Sequence, residues 1–213
     1  MKEPSIAKEG LKLIIPSFVL FIVLVFFTRL PLLASFVLLF CFFCIFFFRN
    51  PKRHSDLGPE CLISPADGTV SGITTMMEGE FLGMECQRIS IFMSPIDVHV
   101  NRAPCDGRIV SMVHRAGKFA LAFKKNIEQD NERNYILMDH DGEKILLVQI
   151  AGFLARRIIP YVKAGDSLNR GNPLGIIAFG SRVDIYFPKE YESMVQLREK
   201  VKAGETMLAK KRG

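Results

Sequence analysis

The sequence predicts a mainly β (β-rich α+β) domain preceded by an N-terminal hydrophobic helical hairpin. Three observations carry this expectation. Residues 13 to 48 are almost wholly apolar, with one charge, Arg29. Beyond residue 54 the chain breaks into short alternating stretches between Gly, Asp and Pro turn signals. Two turn motifs in that second part also recur. The chain has 213 residues, 49% of them hydrophobic, so residues 49 to 213 suffice for one domain with a core. That composition excludes a disordered tail, a collagen-like repeat and a disulfide-stapled mini-protein. Residues 49 to 213 carry 24 Lys and Arg against 20 Asp and Glu. The excess is diffuse, so a nucleic-acid partner is not expected.

The apolar block consists of two runs, Leu13 to Phe27 and Leu30 to Phe48, separated by Thr28-Arg29, with Pro31 near the start of the second. One continuous helix of that length would reach roughly 54 Å, well beyond a hydrocarbon core of about 30 Å. Two helices of about 22 and 28 Å fit better. Lys2, Lys8 and Lys12 precede the block, and Arg49, Lys52 and Arg53 follow it. Basic flanks favour the cytoplasmic side, so the expected arrangement is a hairpin anchor with Arg29 at its far tip, holding the protein on the cytoplasmic face of the cell membrane. A shallow re-entrant wedge is the alternative. A cleaved signal peptide fits poorly, because no small-residue cleavage site follows. The expected division is a membrane anchor over 1–48 and a β-rich domain over 49–213. The five cysteines have no disulfide or metal spacing, and reduced thiols are expected.

Within the domain, Gln87 to Met93 alternates as a half-buried strand does. Tyr135 to Met138 and Lys144 to Ile150 flank the polar turn Asp139-His-Asp-Gly142, a hairpin signal. Further strands are expected over Thr69 to Thr75, Arg108 to His114 and Asp184 to Phe187, with short helix near Ala116 to Lys125 and within Glu190 to Lys202. Pro65-Ala-Asp-Gly-Thr-Val70 recurs as Pro104-Cys-Asp-Gly-Arg-Ile109, and Val162-Lys-Ala-Gly-Asp-Ser167 as Val201-Lys-Ala-Gly-Glu-Thr206. Gly beside an acidic residue is turn chemistry. Two copies of each suggest duplicated lipoyl-like half-barrel units, a likeness of architecture only.

Three segments hold the residues with chemical potential: Ile63-Ser-Pro-Ala-Asp-Gly-Thr69, the run Met93-Ser-Pro-Ile-Asp-Val-His-Val-Asn-Arg-Ala-Pro-Cys-Asp-Gly107, and Phe179-Gly-Ser-Arg-Val-Asp184. Singly, each has an ordinary structural reading: an Asp-Gly turn, a strand histidine, a bulge. Together and in this order, from about residue 49 onward, they resemble the short-form, pyruvoyl-dependent phosphatidylserine decarboxylases.

That resemblance implies a function. Loss of CO2 from an amino acid leaves a carbanion that needs a conjugated electron sink. The resemblance implies that the chain builds this sink itself, without metal or pyridoxal phosphate. Ser181 would attack the Gly180 carbonyl, giving a β chain of 1–180 and an α chain of 181–213 that stay together as a heterodimer. Ser181 would become an N-terminal pyruvoyl group, which forms a Schiff base with phosphatidylserine and releases phosphatidylethanolamine. A serine nucleophile needs a base, and the resemblance assigns that place to His99, with Asp67 orienting the ring and stabilising its charged form. Longer relatives carry His-x-x-His where this chain has His99-Val-Asn-Arg102, so a division of labour between two histidines does not transfer. Asp97 and Asp106 are expected at turns or strand ends. Homo-oligomers are compatible with this reading. Two others stay open on the residues alone: a membrane-tethered lipoyl-like carrier, which lacks a lysine at Gly180-Ser181-Arg182, and pyruvoyl chemistry on a soluble amino acid.

Overall fold

The computed structural model describes residues 4–28, 30–117, 131–152, 157–177 and 181–212. They fall into two compact units, residues 1–52 and 53–213. Arg29 and Gly180 lie outside the described residues, as does most of the helix expected near Ala116 to Lys125.

The first unit is a pair of helices, α1 (Lys8–Phe27) and α2 (Pro31–Phe47). Helix α1 ends at Thr28, whose Oγ1 donates to Leu24 O at 2.7 Å. Proline at the first position of α2 suits a helix start, where no amide donor is needed. The Cys41 thiol donates to Ile14 O across the pair. The open ends are tied together, because Ala7 N donates to Phe48 O at 2.8 Å and Asn50 N to Ser5 O at 2.7 Å. Both ends of the apolar block therefore emerge on the same side, as a hairpin requires.

The second unit contains fourteen strands among the described residues. They are β1 (Cys61–Ile63), β2 (Gly68–Glu78), β3 (Met84–Met93), β4 (Val100–Arg102), β5 (Gly107–Arg115), β6 (Arg133–His140) and β7 (Glu143–Ala151), followed by β8 (Ile158–Pro160), β9 (Ser167–Leu168), β10 (Pro173–Ile177), β11 (Ser181–Pro188), β12 (Tyr191–Ser193), β13 (Lys200–Val201) and β14 (Met207–Lys211). An eight-stranded sheet runs β13-β2-β3-β11-β7-β6-β5-β9, and two small sheets run β1-β14-β12 and β4-β10-β8. All strand pairings among the described residues are antiparallel. The β6–β7 connection is the expected Asp-Gly turn, with Asp141 at φ 50° and Gly142 at φ 88°.

Inward-facing residues such as Ile89, Ile91, Ile136, Met138, Leu147, Val183 and Ile185 form the main core. A second apolar cluster of Tyr135, Leu137, Leu146, Val148 and Ile150 covers part of the outer face. It is capped by Phe81, which stacks on Tyr135 at 4.8 Å. Strands buried on both faces read as continuous apolar runs, which explains Ile145 to Val148.

The large sheet has matched halves. β2 and β5 begin at the two Pro-x-Asp-Gly turns, and each has a bulge at the corresponding place, Val70/Gly72 and Ile109/Ser111. The turns also bond to each other, Ile63 N to Pro104 O and Arg102 N to Pro65 O, both at 2.9 Å. The second repeat is not matched in this way. The turn that bonds to Val70 on β2 and leads into β13 is Gln196–Glu199, where Glu199 caps Gln196 N, just as Asp166 caps Lys163 N beside β5. The Val201 copy instead pairs with the Ser64 main chain through Gly204 N and Thr206 O.

The helix expected within Glu190 to Lys202 is absent. Tyr191 and Val195 are both buried, at a spacing that mimics a helix face. Pairing of β12 with β14 and a left-handed Arg198 at φ 70° hold the segment extended and turning instead.

Gly68 and Gly107 lie against main chain. A Cβ on Gly68 would meet Phe92 O at 2.3 Å, and one on Gly107 would meet Asp139 O at 2.3 Å. Gly107→Ala should therefore lose about 1–3 kcal/mol of stability, whereas Gly72→Ala, whose Cβ would meet only Ser90 at 3.8 Å, should change it little. Comparing urea unfolding midpoints of the two variants checks this.

Candidate active site

The three segments singled out in the sequence converge on the upper ends of β3 and β11. Ser181 opens β11 and pairs directly with Met93, the last residue of β3, and with Ala151 on β7. It is 2% exposed, and its Oγ donates to Met93 Sδ at 3.3 Å. Met93 continues into the Ser94–Asp97 turn, where Asp97 Oδ2 accepts from Ser94 N at 2.8 Å and from Ser94 Oγ at 2.7 Å. His99 follows two residues later and is fully buried. Its carbonyl accepts from Ile177 N at 3.4 Å, four residues before Ser181. Asp67 precedes Gly68, which abuts the Phe92 carbonyl next to Met93.

The His99 ring is oriented by main chain. Nδ1 lies 2.9 Å from Asp97 O. A carbonyl can only accept, so Nδ1 carries the proton and Nε2 keeps the lone pair in the neutral ring. Asp67 has other bonds. Its Oδ2 accepts from Arg53 Nη2 at 2.8 Å, and its Oδ1 from Ala203 N at 2.7 Å. The Asp97 carbonyl is thus the partner at Nδ1. Arg102 is 2% exposed and donates through Nη1 to Gly171 O at 2.8 Å, which ties β4 to the turn before β10. Asp106 accepts from Arg170 N at 2.7 Å, a turn role.

The two faces of β11 differ sharply. Ser181, Val183 and Ile185 point inward, and Arg182 and Asp184 lie on the other face. Arg182 Nε and Nη2 lie 3.0 Å from the two Asp184 oxygens. Asp184 is 1% exposed, and burial pushes its carboxyl above the usual range while Arg182 pulls against that. The pair, with Asp184 buried and Arg182 partly exposed, lies on the face opposite Ser181.

Sequence reasoning missed a row of buried amides on the inner side: Asn134, Gln149 and Asn101, all at most 2% exposed. Asn134 Nδ2 donates to Gln149 Oε1 at 2.9 Å, Gln149 Nε2 to Asn101 Oδ1 at 2.8 Å, and Asn101 Nδ2 to Met93 Sδ at 3.5 Å. The available signal was a lone Gln within the apolar run Ile145 to Ile150. The cysteines are all free thiols, and burial raises Cys105 to about 12.

Comparison with known proteins gives the class. A family model described as phosphatidylserine decarboxylase matches residues 40–209. A Syntrophus aciditrophicus protein named phosphatidylserine decarboxylase proenzyme is 41% identical over 210 residues, covering 98% of this chain and 99% of that protein. Its namesake in Carboxydothermus hydrogenoformans is 44% identical over 182 residues, 85% of each chain. That of Pelagibacter ubique is 41% identical over 213 residues, covering 98% and 97%. The class is thus that of the lyases that remove a carboxyl group. The chain belongs to the phosphatidylserine decarboxylase family, which leaves the carrier reading without support.

Because the folded pKa of Asp184 is raised, its contribution favours the fold most at acid pH and is lost as pH rises through that value. Asp184→Asn, which stays neutral, should gain stability relative to wild type between pH 4 and pH 8. Urea unfolding at several pH values measures the difference.

Proposed function

We propose that this chain is a membrane-held proenzyme that cuts itself between Gly180 and Ser181 and then decarboxylates phosphatidylserine to phosphatidylethanolamine. The observation that carries the reading is the buried Ser181 hydroxyl at the start of β11, beside the end of β3, the strand that runs on into the Ser94–His99 segment and lies against the Asp67–Gly68 turn.

The residues suit the chemistry. A thioether is a weak acceptor, so the Ser181 proton parked on Met93 is cheaply given up. The His99 tautomer offers Nε2 as the base, and full burial keeps water from competing. Proton transfer from Oγ to His99 lets the oxygen attack the Gly180 carbonyl carbon. The C–N bond breaks as the C–O bond forms, and the proton moves to the nitrogen of residue 181. Loss of the residue 181 Cα proton then expels the ester oxygen with Gly180 as a carboxylate. The dehydroalanine left behind takes up water and releases ammonia, leaving a pyruvoyl ketone. That ketone supplies the electron sink for the carbanion formed when CO2 departs. The same buried His99 would return a proton to the product. Asp67, fixed by Arg53 and Ala203 N, would favour the charged form of the ring and help orient it, alongside the Asp97 carbonyl at Nδ1. The chains 1–180 and 181–213 remain joined, since β11 lies between β3 and β7.

The first unit supports membrane attachment. Helix α1 has 20 residues, a length of about 30 Å, and is apolar enough to cross a bilayer. Helix α2, with 17 residues, is shorter. Phe26, Phe27 and Leu32 are over three-quarters exposed, a surface suited to lipid rather than water. Lys8, Lys12, Arg49 and Lys52 lie toward the tied ends, and basic flanks of this kind favour the cytoplasmic face.

Intact mass spectrometry should find two chains divided after Gly180, the smaller without a free amino terminus. Ser181→Ala should remain one inactive chain, and His99→Ala should slow the cut at least a hundredfold. A single uncut wild-type chain with full activity refutes the reading.

A further inference from the structure

We propose that the amide row Asn134–Gln149–Asn101 is a positioning relay for Ser181, acting through Met93. The proposal rests on the self-cleavage reading and adds to it residues that the reading does not require. The row runs inside the core: Asn134 on β6 and Gln149 on β7 are direct cross-strand partners, Asn101 is on β4, and Met93 on β3 faces Ser181 on β11.

The polarity of the row is fixed from one end. A thioether can only accept, so Asn101 must present its NH2 group to Met93 Sδ, at 3.5 Å. Its Oδ1 then faces Gln149, which must donate, at 2.8 Å. Gln149 Oε1 is left to accept from Asn134, at 2.9 Å. Every bond points toward Met93, and the Ser181 hydroxyl meets the same sulfur from the other side at 3.3 Å. A methionine side chain is flexible and by itself would define a neighbour poorly. The amide donor pins its sulfur, and the pinned sulfur selects the rotamer of Ser181.

Stability does not call for such a row. These positions lie among Ile136, Met138, Leu147 and Val183, where apolar side chains of similar size would pack without any polar group to satisfy. Replacing a complete set of buried hydrogen-bonding partners by apolar groups is often neutral or stabilising. Three amides ending on the atom that holds the reacting serine are better explained by the orientation they impose.

The test measures the half-time of conversion of freshly synthesised full-length precursor into two chains, together with its thermal unfolding midpoint. The triple variant Asn134→Leu, Gln149→Leu and Asn101→Leu should unfold at or above the wild-type temperature and yet cleave at least tenfold more slowly. Met93→Leu, a volume-conserving change, should slow cleavage to a similar degree. Adding Asn101→Leu to it should slow cleavage no further, because both changes remove the same link. Wild-type cleavage rates in a folded triple variant or in Met93→Leu overturn the proposal. So do fully additive effects of Met93→Leu and Asn101→Leu. A triple variant that does not fold contradicts the claim that the row is dispensable for stability. A wild-type precursor that never cleaves overturns the self-cleavage reading itself and is distinguished from these outcomes by that control.

Discussion

The register between β3 and β11 is the constraint on which the rest of the site depends. Ser181 lies opposite Met93, Val183 opposite Ile91 and Ile185 opposite Ile89. Side chains alternate between the faces of a sheet, so a slip of one residue would exchange the two sets. Ser181 would move to the outer face, and Arg182 with its charge would enter the core. Val183 and Ile185 on one side and the Arg182–Asp184 pair on the other make that slip costly. The core thus fixes the position of one hydroxyl, and the Ser94–Asp97 turn and the Asp67–Gly68 turn lie against the same end of β3.

What the fold brings there is a set of buried groups held by main-chain and side-chain partners rather than a row of exposed acids and bases. His99 is buried and held by a carbonyl, Ser181 is buried and held by a sulfur, and Asp67 is bonded to Arg53 and the Ala203 amide. The thioether contact of Ser181 is weak, whereas the bonds of Asp67 to Arg53 and the Ala203 amide are charge-assisted and strong. The glycines of the two Asp-Gly turns let β2 and β5 approach neighbouring carbonyls closely enough to set the loop positions.

Much of the architecture was legible in the residues. The break at Thr28-Arg29-Leu30-Pro31 marks two helices, the alternation in Gln87 to Met93 marks a strand, and Asp141-Gly142 marks a hairpin. Each is a local signal with a local cause. The segment from Glu190 misled, because Tyr191 and Val195 have helical spacing while their burial comes from pairing with β14 and from packing against Phe187. The Val162 and Val201 repeats likewise share turn chemistry without occupying matched places. At the site, the three segments could be named in advance, but their partners could not. The Asp97 carbonyl and the Met93 sulfur are recruited by tertiary contact, and neither a carbonyl nor a thioether leaves a pattern in sequence. Gln149 did leave one, a single polar residue in an apolar strand, whose meaning depends on where the next strands fall.

The central claim is that residue 181 of the mature protein is a carbonyl that takes up the substrate amine. The most direct measurement is borohydride reduction in the presence of phosphatidylserine, followed by mass analysis of both chains. The account predicts added lipid mass on the chain that begins at residue 181 and none on the chain that ends at 180. Lipid mass on a lysine elsewhere, or turnover with no trappable carbonyl at residue 181, would contradict it.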